Sequence, residues 1–338
     1  MKVKTINKTI NKKFDEWLAS ITDENVRKLV EKGSILTGGS IASMLLREPV
    51  NDFDFYFKDL DTTKAVAEYY VAKFKENPPP TMKFPDGKEV EMGVKVISNS
   101  HSYEDIITGG ASAPPRVRIF IRSAGVAGEA TNDQELNGEE GDSRETGENE
   151  HPYQYFEQQA PEAAEEYVDQ VMASKQEKPK EKYDYRPIFL TDNAISLNGD
   201  IQLVIRFYGK PEEIHENYDY VHATNYWTSW DRQVTLRTEA LECLLTKELR
   251  YIGSKYPICS LVRARKFIQR DWTINAGQFL KISMQISELN LKDYEVLKEQ
   301  LVGMDVAYFM QVLSALKEED PEKINAAYLT EIIDRIFG

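Results

Sequence analysis

Leu36-Thr37-Gly38-Gly39-Ser40, followed by Asn51-Asp52-Phe53-Asp54-Phe55-Tyr56-Phe57, carries the fold of this chain. Ser34 to Thr37 reads as a short strand, Gly38-Gly39-Ser40 as a tight turn, and Ile41 to Leu46 as a new helix. The Asp52–Phe57 run alternates acid with aromatic, the period-two pattern of a strand. Residues i and i+2 of a strand share a face, so Asp52 and Asp54 stand on one side, roughly 7 Å apart at Cα. Phe53, Phe55 and Phe57 take the other, buried side. Two acids on one sheet face are costly unless a cation or solvent meets them. Phosphoryl and nucleotidyl transfer need such acids, because paired divalent ions about 3.5–4 Å apart neutralise charge on the reacting phosphates. The glycine turn supplies the complement: close backbone approach, free N–H groups at a helix N-terminus, and the Ser40 hydroxyl.

Outward from this stretch, residues 13–32 have apolar positions at helical spacing, stopped by Gly33. A helix from about Thr62 to Lys75 ends at Asn77-Pro78-Pro79-Pro80, and strands are expected at Lys88 to Ile97 and Val117 to Arg122. Ile188 to Leu197 and Ile201 to Phe207 flank Asn198-Gly199, a hairpin-turn dipeptide. Tyr218 to Tyr226 reads as a third strand. From Thr238 the pattern turns helical: Thr238 to Tyr251, Ile258 to Gln269, Ala276 to Ile286, Lys292 to Leu301, Val306 to Leu316 and Pro321 to Phe337. The expectation is an α+β protein. A mixed-sheet domain with flanking helices (1–122 and 183–237) precedes a helical domain (238–338).

Residues 123–182 stand apart, rich in Gly, Glu, Gln, Asn and Ala. Too few aliphatic side chains are present to offset ordering entropy, so an acidic, disordered insertion is expected. Glu129 to Lys182 holds 16 acidic against 5 basic residues, which accounts for most of the net charge of −14. The remainder is near neutral, and bulk charge does not exclude a nucleic-acid partner. No apolar run approaches the roughly 18 residues that span a bilayer, and no signal peptide is evident, so a cytoplasmic location without membrane contact is the expectation. The two cysteines, Cys243 and Cys259, lie in apolar helical context and are expected to be buried free thiols. With four histidines and no Cys pairs, zinc has little material, and any metal would be held by carboxylates, which suits Mg²⁺ or Mn²⁺. Trp227, Trp230 and Trp272 are expected to serve packing.

The pairing of Leu36-Thr37-Gly38-Gly39-Ser40 with Asn51-Asp52-Phe53-Asp54-Phe55-Tyr56 resembles the GG/GS…DhDh signature of the DNA polymerase β-like nucleotidyltransferase superfamily. That superfamily includes poly(A) polymerases and CCA-adding enzymes, and this chain looks like a distant, viral or phage-like member. The resemblance implies that Gly38, Gly39 and Ser40 meet the phosphates of an NTP and that Asp52 and Asp54 bind Mg²⁺. It also implies a third carboxylate on a neighbouring strand. Asp219 is favoured, as the residue opening the Tyr218–Tyr226 strand, over Asp200, which follows Asn198-Gly199 and suits a turn.

Arg263, Lys266 and Arg270 recur on one helix face, a candidate clamp for triphosphate or a substrate backbone. Arg270-Asp271-Trp272-Thr273-Ile274-Asn275-Ala276 is similar to the RRDFTINA stretch of CCA-adding enzymes. The expected function is Mg²⁺-dependent transfer of a nucleoside monophosphate from an NTP to a hydroxyl. An RNA 3′ end is the favoured acceptor, ahead of a protein or small molecule. The alternative is a catalytically inactive binding or structural protein that keeps the fold.

Overall fold

The computed structural model describes residues 1–76, 90–97, 115–123, 183–191, 193–291 and positions 293, 296, 297 and 300. Helices α1 (Val3–Ser20) and α2 (Glu24–Gly33) open the chain. They replace the single helix expected over 13–32. Asp23 separates them, its carboxylate accepting from the Asn25 and Val26 amides at 2.8 and 3.1 Å and so capping α2. Next come β1 (Ser34–Thr37), α3 (Gly39–Leu46), β2 (Phe53–Phe57) and α4 (Leu60–Glu76). An antiparallel ribbon of β3 (Val90–Ile97) and β4 (Arg116–Ser123) follows. The sheet is completed by β5 (Pro187–Leu190), β6 (Ala194–Leu197), β7 (Ile201–Tyr208), β8 (Tyr226–Thr228) and β9 (Val234–Thr235). A short helix α5 (Pro211–His215) and a 3₁₀ turn (Val221–Ala223) lie between β7 and β8.

The main sheet runs β5-β6-β7-β2-β1-β8-β9. It is mixed, since β2 and β7 pair parallel and the other neighbours antiparallel. The protein is therefore α+β. Two expectations fail locally. The Ile188–Leu197 stretch is a hairpin of two strands, because the Thr191 hydroxyl accepts from the Asn193 and Ala194 amides and turns the chain. Tyr218–Tyr226 is not a strand: only Tyr220 makes a bridge, to Tyr251, before the 3₁₀ turn leads into β8.

Strand alternation sorts the two faces of β2. Phe53, Phe55 and Phe57 enter the main core with Phe14, Trp17 and Trp227, beneath α1 and α4. Phe55 is fully buried, its ring 4.8 Å from that of Trp17 and 5.9 Å from that of Phe14. Tyr56 faces the other way, into a small cluster with Ile35 and Ile214 and the flanking Val204, Tyr218 and Tyr226.

Beyond the sheet lie α6 (Thr238–Thr246), α7 (Pro257–Ile268) and α8 (Ala276–Ser287). Helix α6 ends earlier than its apolar pattern suggested, because Lys247 adopts a left-handed conformation and closes it. These helices share a second core with α3 and the 218–223 loop, built from Ala42, Tyr220, Leu244, Leu249, Tyr251 and Trp272. Trp227 and Trp272 are buried, whereas Trp230 is half exposed. Cys243 and Cys259 are buried free thiols. The acidic 123–182 stretch and the helices expected at 306–316 and 321–337 lie outside the described residues, apart from Ser123 at the end of β4. Among the described residues no helix is long and apolar enough to cross a membrane.

Phe55 ties β2 to α1 and β8, packing on Phe14, Trp17 and Trp227, so Phe55→Ala is expected to cost about 3–5 kcal/mol. Urea denaturation followed by tryptophan fluorescence would measure it, and a loss below about 1 kcal/mol would mean that the core closes over the gap.

Candidate nucleotide-phosphate site

The edge of the sheet where β1 meets α3 brings the glycine turn and the acids together. Gly38 has φ 96° and ψ −152°, a backbone region essentially confined to glycine. A Cβ there would stand 3.2 Å from Asp54 Oδ2 and 3.4 Å from the Tyr218 hydroxyl. The Asp54 carboxylate is thus pressed against the turn. Gly39 is exposed, and a Cβ on it would meet nothing within 4 Å, so the backbone entering α3 faces open space. The first N–H groups of a helix have no partner within it. Ser40 is 2% exposed, and its hydroxyl has no hydrogen-bond partner among the described residues.

Asp54 is pushed up to about 7, first by burial and then by the neighbouring Asp52 carboxylate. Among the described residues it forms no ion pair. Asp52 stands half-buried just before β2. Tyr56, two positions on, faces the same side, and the hydroxyls of Tyr56 and Tyr218 lie 3.2 Å apart. Burial, and then the Asp54 charge, holds the Tyr56 phenol above its ordinary value, so it is a neutral hydrogen-bonding group.

Behind the turn is a polar network missed at the level of sequence. The Thr37 hydroxyl has one proton, which goes to the Asn225 carbonyl at 3.0 Å. His215 Nε2, 2.8 Å from that hydroxyl, must therefore be the donor to it. Nδ1 is left to accept from Arg237 at 3.4 Å. The ring is neutral, held down to about 4 by burial and then by the Arg237 charge. His222 is likewise held near 4, chiefly by burial, between the rings of Phe267 and Trp272 at 4.6 and 4.7 Å. It is a packing residue. A His-x₆-His pattern in a loop carries no periodicity that would have revealed either role.

The remaining candidates are placed differently from expectation. Asp219 opens no strand; it is mostly buried in the loop, and its carboxylate accepts from Arg263 at 2.6 Å. Arg270 pairs with Glu48, just beyond α3. Arg263 and Arg270 thus fasten α7 and the residues after it to the sheet-bearing part, while Lys266 is exposed on α7. Asp200 adopts a left-handed turn conformation, φ 58°, and its charge acts on Lys13 of α1. Among the described residues no group of three or more His, Cys, Asp or Glu gathers as a metal cage. The residue beside Asp54 on the neighbouring strand is Gln202.

The arrangement suits one hard cation. Two adjacent carboxylates, an unpartnered buried hydroxyl and an open helix N-terminus match the few protein ligands that Mg²⁺ takes when phosphate oxygens and waters supply the rest. This is an α+β protein with an acidic pair facing a glycine-lined turn. The family described as Gabija anti-defense 2 family protein matches residues 8–247, which contain the whole of that turn and both acids, and the chain belongs to it. Gabija anti-defense 2 from Bacillus phage SPbetaL7 is 26% identical over 132 residues, covering 39% of this chain. The match spans only 32% of that relative's length. A Thermotoga maritima CCA-adding enzyme complexed with tRNA_CCA is similar over 95% of this chain and 53% of its own, at 9% identity and a TM-score of 0.35.

Two expectations test this geometry. Gly38→Ala should cost about 1–3 kcal/mol in backbone strain, read from the urea midpoint, and should displace Asp54. Both histidines have folded-state values below the ordinary 6.5. Above that pH they detract nothing; as pH falls towards 4 the unfolded chain takes up protons that the folded chain does not. Each ring then lowers stability by about 1.4 kcal/mol per pH unit. Denaturation at pH 7 and pH 5 should show a smaller drop for His222→Gln than for the parent, and equal drops would refute the assignment.

Proposed function

We propose that this chain is a phage-type anti-defence protein that binds a nucleoside triphosphate with Mg²⁺ or Mn²⁺ in a nucleotidyltransferase-like site. The observation that carries the proposal is the Asp54 carboxylate, half-buried beside Asp52 and against Gly38 with no ion-pair partner among the described residues. A divalent cation held there would add positive charge beside the acids and offset charge on the phosphates. Asp52 and Asp54 would hold it. The Gly39 and Ser40 amides and the Ser40 hydroxyl would donate to phosphate oxygens, and the fixed Gly38 turn aims them. Thr37 and His215 position that turn from behind.

The anti-defence role is taken from the name of the family and of its SPbetaL7 relative. Capture of a nucleotide is the activity that the residues support most directly. Transfer is a second reading, favoured by the open approach over Gly39. The acceptor hydroxyl oxygen would bond to the α-phosphorus as the bond to the bridging β-phosphate oxygen breaks and pyrophosphate leaves. An RNA 3′ end or a protein hydroxyl would be the acceptor. Arg263 and Arg270 are less available to clamp a triphosphate than their helix face implied, being paired with Asp219 and Glu48.

Calorimetry with Mg²⁺ and the four NTPs should detect binding by the intact chain and at least a tenfold loss in Asp52→Asn/Asp54→Asn with unchanged circular dichroism. Unaltered binding in that double variant would overturn the proposal. Mass-shift screening with RNA and protein acceptors separates capture from transfer.

A further inference from the structure

The neighbour of Asp54 across the sheet bears on how many cations this site can hold. Strands β2 and β7 run parallel, with Phe53 opposite Ile201, Asp54 opposite Gln202 and Phe55 opposite Leu203. Residues paired in this way share a face, on strands roughly 4.8 Å apart. The burial pattern agrees: Ile201, Leu203 and Ile205 enter the main core with the phenylalanines, whereas Val204 packs against the Tyr56 cluster. Gln202 therefore stands on the Asp54 side, partly exposed.

We infer that Gln202 occupies the seat from which a third carboxylate would complete a two-cation centre, and that this site consequently takes a single divalent cation. The inference rests on the nucleotide-and-cation reading of the same site. A glutamine offers one neutral carbonyl oxygen and an NH₂ group that donates. It cannot bring the negative charge that a second divalent ion needs beside the first. Of the other two acids once eligible, Asp219 is neutralised by Arg263 at 2.6 Å, and Asp200 lies in a left-handed turn whose charge acts on Lys13. The amide is also suited to the nucleotide, since its NH₂ can donate to a phosphate oxygen without competing for the cation. A single cation held by Asp52 and Asp54 supports binding of a triphosphate. A second, acceptor-side cation is the one that would activate an incoming hydroxyl.

Counting cations tests this directly. The full chain is saturated with α,β-methylene-ATP, titrated with Mn²⁺, and the protein-bound Mn²⁺ is counted by electron paramagnetic resonance after ultrafiltration. One Mn²⁺ per chain is expected for the parent and two for Gln202→Glu, which is nearly isosteric and adds the missing charge. Two in the parent would overturn the inference while leaving the nucleotide site intact. One in a Gln202→Glu variant of unchanged circular dichroism would also overturn it. None in the parent would remove the nucleotide site itself, and the inference with it.

Discussion

Pressing the half-buried Asp54 carboxylate against the Gly38 backbone has a desolvation cost that no ion pair among the described residues offsets, and this is the constraint on which the site depends. The strand that carries Asp54 is anchored by three phenylalanines on its opposite face, so its backbone is fixed by the core. Only glycine can hold the backbone at position 38 while leaving room for the carboxylate. The next residues start helix α3, with the Ser40 hydroxyl in its first turn. In the proposed reading, acid, donors and open space together would seat a cation with its phosphates.

A second layer of polar groups keeps that seat in register. Thr37 ends β1 and is held by the Asn225 carbonyl and the neutral imidazole of His215, which is itself oriented by Arg237. The Thr37 hydroxyl, the His215 ring N–H and an Arg237 N–H each have an acceptor in this series of bonds, so the turn is held from below. The aromatic pair Tyr56 and Tyr218 closes the side of the site with hydroxyls kept protonated by burial. On the far side, Arg263 and Arg270 spend their charge on Asp219 and Glu48, fastening the helical part to the sheet. Two of the three basic residues expected to form a ligand clamp thus make ion pairs within the protein. The tRNA-enzyme-like string contributes Trp272, which packs on His222.

These ties bear on the choice between capture and transfer. Asp219 is costly to release from Arg263, because separating the pair would leave it largely buried and unpaired. The glutamine beside Asp54 brings no charge in its place. Membership of an anti-defence family is compatible with either chemistry, since both begin with the same bound nucleotide.

The amino-acid order alone determined the local pieces: acids and aromatics alternating along β2, a glycine pair where a strand enters a helix, and the helical periodicity after Thr238. Each is legible because it depends on contacts only a few residues apart, through the two-residue pleat, the 3.6-residue turn and the freedom of glycine. The sequence could not reveal which residue stands beside Asp54, nor which acid is claimed by a distant arginine. Those follow from the parallel register of β2 with β7 and from the docking of α7 on the 218–223 loop. Both are long-range pairings, so Asp219 in an apparent strand reads as a ligand until folding brings Arg263 to it.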